Sequence, residues 1–235
     1  MKILLISDLH LYDVRMTPQR DRDRLEKLAS FIIACGAEVV LNLGDTISRA
    51  NLLRPECPSI QDGFRHYLRW RSQFSIPFIE CAITRELTFF TSLTGQKPDT
   101  VFDFACGVSV IVLADNSEIS PEQLLFLTGV LNRCRTEGRK VVIGTHIPYP
   151  GSCSYAKIEK FLHVPQSLHH MLTEFPQSVW WCGGHFHWDP DPPVIIGSLT
   201  ALYGARFRLD TRNDTTYLRL IDTESGHIDT KFPDF

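Results

Sequence analysis

The sequence has no Cys-X-X-Cys pair, no uninterrupted apolar run of about 18 residues, no internal repeat, no low-complexity segment and no block of one charge sign. Each absence removes a class of protein. The seven cysteines, at 35, 57, 81, 106, 134, 153 and 182, form an odd set at wide spacing, several inside apolar runs where a free thiol acts as a small hydrophobe. A reducing, cytoplasmic location is the natural expectation. Without a long apolar run there is no membrane span to expect, and Met1 to Ile6 meets Asp8 and His10 too soon to be a signal segment, so it reads as a first strand. A formal charge of -3, with both signs mixed along the chain, gives no electrostatic footprint for a nucleic-acid backbone or an anionic membrane. Nucleic acid stays open as a substrate but draws no support from charge.

What is present is ordinary globular composition: 43% hydrophobic and 22% charged over 235 residues, with no linker-like stretch. One domain over residues 1–235 is expected. Residues 2–7 and 38–43 are continuous apolar runs, the pattern of strands covered on both faces. Between them Leu25, Leu28, Ala29, Ile32 and Ile33 recur at helical spacing in Arg20 to Cys35, with Gly36 as the stop. A right-handed β-α-β unit of this kind places the carboxyl ends of both strands on one sheet edge. Further along, the pattern predicts a helix at 59–73, strands at 76–81, 101–105 and 108–114, and a helix opened by Ser120, Pro121 and Gln123 and closed by Gly138. A strand at 140–144, a helix at 156–174, a strand at 178–182 and shorter runs at 193–197, 201–209, 215–221 and 226–231 follow, with a turn at Asp189 to Pro193. The predicted fold class is layered α/β with a pair of mixed sheets.

Ligand-type residues fall directly after predicted strands: Asp8 and His10, Asp45, His146, then His185 and His187. Loops at the carboxyl ends of strands are where open α/β sheets hold their ligands. Imidazole with carboxylate suits Zn, Fe, Mn, Co or Ni, and two ions sharing one carboxylate make the clamp that hydrolyses phosphate esters, with Asp45 as the natural bridge. Each segment also has a plainer explanation. Asp-X-His is a common turn or helix cap, Gly44-Asp45 is ordinary turn chemistry, and His146 could be a hydrogen-bonded histidine in a turn held by Pro148 and Pro150. His185 and His187 are more specific, because Gly183 and Gly184 permit close backbone approach and residues two apart in extended chain point the same way.

Taken together, Asp8-Leu9-His10, Gly44-Asp45, Gly144-Thr145-His146 with Pro148, and Gly184-His185-Phe186-His187 resemble the calcineurin-like metallophosphoesterase superfamily, in family order over residues 1 to about 200. The resemblance implies a β-sandwich with helices outside and two divalent ions. Asp8, His10 and His187 would hold one ion, His146 and His185 the other, and Asp45 would bridge them. It also implies a bridging hydroxide that attacks phosphorus in a small-molecule phosphomonoester or phosphodiester.

One motif departs. Where the family has Gly-Asn-His followed by an acid, this chain has Ile83-Thr84-Arg85-Glu86. Thr84 stands in the place of an amide ligand to the second ion and is a poorer neutral ligand. Arg85 stands where the family has the histidine that protonates the leaving group. A guanidinium can clamp a phosphate bidentately, but it does not release a proton at neutral pH. Leaving groups that need no proton, such as those of aryl phosphates or phosphoanhydrides, are then expected to be favoured. The competing expectation is a non-catalytic member of the fold that binds metal or a phosphorylated ligand.

Other residues carry less. His66, His169 and His170 fall in predicted helices, where a solvated face accounts for them, and Trp180 and Trp181 read as strand packing. Tyr149, Tyr155 and Trp188 are expected near the pocket, Arg206 at the rim, and specificity in loops 48–62 and 88–100.

Overall fold

A computed structural model describes residues 1–13, 17–48, 58–114, 117–152, 161–186, 191–203 and 216–231. Strand β1 (Lys2–Ile6) is buried from its second residue onward, as its continuous apolar run requires, and pairs in parallel with β2 (Val39–Asn42), Ile3 opposite Val39. The helix between them, α1 (Pro18–Ala34), starts at an N-cap Thr17 whose side chain accepts from Arg20 N, and Gly36 at φ +66 follows its end. Its inward row is Arg24, Leu28 and Ile32. Ile33, expected on that row, lies one residue, or about 100°, further round the helix and is 74% exposed.

Next come α2 (Ile60–Arg71) and β3 (Phe78–Glu80), which runs parallel to β2. A 3-10 turn at Thr84–Glu86 leads into α3 (Leu87–Thr94), stopped by Gly95 at φ +71. Part of the expected loop 88–100 is therefore helical: Phe90 is buried against the core, which overrides the weak helix preference of the Thr and Phe residues around it. Strands β4 (Thr100–Phe104) and β5 (Val108–Val112) form an antiparallel pair, and α4 (Pro121–Thr136) has the capping box that Ser120 and Gln123 predict. After β6 (Lys140–Gly144), α5 covers only Gln166–Thr173. The expected helix 156–174 is thus shortened. Leu162 and His163 precede Pro165 in extended chain, His163 bridges to Glu118, and residues 153–160 lie outside the described set. Then follow β7 (Val179–Gly183), β8 (Val194–Ile196), β9 (Leu199–Tyr203), β10 (Leu218–Asp222) and β11 (Ile228–Lys231).

The strands make two mixed sheets, in order β11-β10-β1-β2-β3 and β4-β5-β6-β7-β9-β8. One apolar cluster joins Ile3 to Ile6, Val39 to Leu41, Val110, Val142, Trp180, Cys182 and Leu202, so the sheets pack face to face. A second cluster lies on the other face of the second sheet, where Ile111, Val141, Ile143, Val179 and Trp181 meet Leu127, Leu131, Leu168 and Leu172 of α4 and α5. The two-residue period of β7 places Trp180 in one core and Trp181 in the other. This is the expected layered α/β sandwich flanked by helices.

Candidate metal centre

Parallel strands deliver their carboxyl ends together, and the two sheets meet at that edge. The loops after β1 and β2 are laced by Asp8 N to Gly44 O at 2.9 Å, His10 N to Asp45 O at 3.0 Å and Leu11 N to Thr46 O at 2.9 Å. In the second sheet Gly184 N donates to His146 O at 2.8 Å. At this edge His185 N donates to Asp8 Oδ2 at 3.0 Å and His146 Nδ1 to Leu43 O at 2.8 Å, both across the gap between the sheets.

Among the described residues, the non-glycine residues at positive φ are Asp8 (56°), His10 (44°), Tyr12 (63°), Asp45 (51°) and His185 (79°). Such conformations cost on the order of 1 kcal/mol or more each, and strained backbone of this kind clusters where side chains must converge. Here they turn imidazole and carboxylate inward from strands that would otherwise point them apart.

Convergence follows. Ligand atoms of Asp8, His10 and Asp45 lie within 4.8 Å of one another, as do those of Asp45, His146 and His185, and Asp45 is common to both groups. Asp45 Oδ2 is 3.7 Å from His10 Nε2 and 3.6 Å from His146 Nε2, and Asp8 Oδ1 is 3.7 Å from His10 Nε2. The supporting bonds leave the right atoms available. Ser7 Oγ donates to Asp8 Oδ2 at 2.5 Å, so Oδ1 faces His10. Because a carbonyl only accepts, the bond to Leu43 O puts the proton of a neutral His146 on Nδ1 and the lone pair on Nε2, toward Asp45.

Glycine is required where the loops touch. A Cβ on Gly184 would stand 2.0 Å from Ser7 Oγ, and one on Gly183 2.3 Å from Pro148 Cα. Behind Asp45 lies a buried polar network that sequence reasoning missed. Asn42 accepts from Gly44 N at 3.2 Å and donates to Glu80 Oε2 at 2.7 Å, Thr46 Oγ1 at 2.8 Å and Tyr67 OH at 3.1 Å, while Arg71 Nη1 holds Glu80 at 2.6 Å. A single Asn at the end of an apolar strand was its one visible signal, since a buried amide needs partners.

The altered motif sits in the 3-10 turn after β3. Thr84 is exposed. Arg85 Nη2 donates to Asp45 Oδ1 at 2.8 Å and to Ile47 O at 2.5 Å, so the guanidinium expected to face a phosphate already carries a carboxylate. Burial pushes the Glu86 carboxyl up to about 8, against the opposing pull of Arg85.

His187, Tyr155, Trp188 and Arg206 lie outside the described residues. Tyr149, expected to line a pocket, is instead 2% exposed in the outer core, stacked on His169 and bonded to its Nδ1 at 2.5 Å. His66 bonds Tyr12 OH at 2.9 Å, and His170 pairs with Glu174 at 3.1 Å, one helical turn away. None of the three helical histidines belongs to either ligand group.

The donor set of the first group, two carboxylates and an imidazole, fits a divalent ion. Among the described residues the second group's carboxylate is the shared one, and the two imidazoles contact each other, His185 Nδ1 at 3.1 Å from His146 Nε2.

No protein-family model and no curated protein sequence matches the chain. Solved structures do. A dimetal phosphatase from Danio rerio superimposes with a TM-score of 0.74 at 14% identity, over 99% of this chain and 95% of that one. The sulfate thiohydrolase SoxB of Thermus thermophilus gives 0.51 at 13% identity, over 98% of this chain and 56% of that one. The phosphoesterase YfcE of E. coli gives 0.48 at 11% identity, over 100% of both chains. At such identities likeness establishes architecture, and activity must be argued from the site. With its paired mixed sheets, outer helices and strand ends that carry Asp and His side chains, this chain has the fold of the calcineurin-like metallophosphoesterases.

Proposed function

We propose that this protein is a metal-dependent hydrolase of phosphoric esters, acting on small-molecule phosphomonoesters or phosphodiesters. The observation that carries the reading is the sharing of Asp45 between two groups of ligand atoms, each within 4.8 Å. In this reading Asp8, His10, Asp45 and His187 hold one ion, while Asp45, His146 and His185, with Thr84 at the edge, form the second position. Mn, Fe, Zn, Ni and Co all suit such donors. A divalent ion bound there supplies a water of lowered pKa and offsets charge on the phosphoryl group.

The chain's own residues do the rest. Ser7 and the backbone of His185 hold Asp8 in one rotamer, and Leu43 O fixes the tautomer of His146. Arg85 adds a fixed positive charge beside Asp45 but no transferable proton. Esters with good leaving groups are the preferred substrates on that account, and the rate should fall steeply as leaving-group pKa rises. A flat dependence would rule this preference out.

A second reading, a metal- or phospholigand-binding module without turnover, draws on the same Arg85. One experiment separates them: hydrolysis of bis-p-nitrophenyl phosphate and p-nitrophenyl phosphate by metal-stripped protein resupplied with Mn, Ni, Co or Zn, beside an Asp45→Ala control. The hydrolase reading expects metal-dependent turnover that the control loses. Metal binding without turnover with any of the four selects the module.

A further inference from the structure

Asn42 closes β2, and its buried side chain reaches forward under the loop that carries Asp45. The amide brackets that residue. Oδ1 accepts from Gly44 N at 3.2 Å and Nδ2 donates to Thr46 Oγ1 at 2.8 Å, one residue before Asp45 and one after it. Gly44 and Asp45 stand at φ +100 and +51, so the bracket spans the strained part of the loop. The amide is itself held. Nδ2 also donates to Tyr67 OH at 3.1 Å on α2 and to Glu80 Oε2 at 2.7 Å, directly opposite on β3. Tyr67 OH at 3.0 Å and Arg71 Nη1 at 2.6 Å donate to the other Glu80 oxygen. Gln96 grips the Glu80 backbone from both sides, accepting from its N at 3.2 Å and donating to its O at 2.6 Å.

Burial gives these bonds their weight. Asn42, Tyr67 and Glu80 are each 1% exposed or less, and a satisfied polar network in such surroundings is rigid, whereas removing one member leaves its partners without bonds. Replacing buried polar partners together by apolar ones is often neutral for stability, so the fold alone does not call for an amide at 42. The Asp45 carboxylate does. Its Oδ2 stands 3.7 Å from His10 Nε2 and 3.6 Å from His146 Nε2, and Asp45 belongs to both ligand groups, so a shift of residues 44–46 would move one donor away from both at once.

We infer that Asn42 is a positioning residue for the centre: the bonds of its amide to Gly44, Thr46 and Glu80 set the place of Asp45 and, through it, the affinity for a divalent ion. This role rests on the proposed reading of the centre as a metal site. Asn42 acts through the loop and not as a ligand, and Tyr67, Glu80 and Arg71 extend the same support to α2 and β3.

The test is calorimetric titration of the metal-stripped full chain with Mn(II), beside a melting curve taken without metal. Asn42→Leu keeps the size of the side chain, drops its bonds and should raise Kd at least about tenfold in protein still folded at the titration temperature. If that variant fails to fold, Thr46→Val cuts one arm of the bracket and should raise Kd about threefold or more. The pair Asn42→Asp with Glu80→Gln exchanges acceptor and donor at unchanged net charge, and should bind Mn(II) about as wild type does. A folded Asn42→Leu or Thr46→Val protein with lowered Tm and unchanged Kd would overturn the inference. So would the paired variant if it kept the wild-type Tm with a Kd raised about tenfold. Wild type that binds no Mn(II), or Asp45→Ala that binds it like wild type, would instead remove the metal centre itself, and the proposed function with it.

Discussion

The first-sheet and second-sheet halves of the centre share one carboxylate and differ in what surrounds it. On the first side, Asp8 and His10 follow a strand buried from its second residue onward, both at positive φ, and both Asp8 oxygens have partners. On the second side, His146 is fixed by Leu43 O, but His185 is exposed and leans on His146. The position that would add an amide there is an exposed Thr84, followed by an arginine bonded to Asp45. The difference teaches that a set of ligand-type residues alone does not define a metal site: charge and supporting bonds would decide how strongly each half binds an ion.

The comparison can be broken by measuring the halves separately. Asp8→Asn keeps the shape of the side chain and should weaken metal binding at least about 1,000-fold, roughly 4 kcal/mol, whereas His185→Ala should weaken it about tenfold or less. Equal losses by calorimetry would mean that the halves bind alike. Gly184→Ala drives a methyl into Ser7 and should destabilise the fold by about 3 kcal/mol, or roughly 6 to 12 °C in Tm, even without metal. An unchanged melting curve would show that the contact between the halves gives way freely. The smallest effect is expected from Thr84→Asn, which should tighten the second position by less than about 1 kcal/mol while Arg85 remains. No change in affinity or stoichiometry would place residue 84 out of reach of the ion.

Much of this was legible in the sequence because the strands announce themselves. Buried parallel strands are continuous apolar runs, so residues 2–6 and 39–42 fixed the edge at which Asp8, His10 and Asp45 had to emerge. Ser120, Pro121 and Gln123 marked a helix start by local hydrogen bonding alone. What was hidden depends on tertiary partners. Leu87–Thr94 is helical because Phe90 finds a core, and Tyr149 turns into the outer core because Trp181 and His169 are there to meet it. The Arg85–Asp45 bond joins residues 40 apart in sequence through a turn whose direction no periodicity encodes.

Asp8 leaves one sheet and His185 the other, joined by a bond from His185 N to Asp8 Oδ2 at 3.0 Å where Gly184 admits no side chain. The donor atoms of the Asp45–His146–His185 group therefore come together only once the sheets have docked, so an unfolded chain offers an ion no comparable site. An ion held by that group would cross-link the layers, and free metal at 100 times its Kd would add about 2.7 kcal/mol to the folding free energy. For this protein, metal supply and resistance to unfolding would be the same variable.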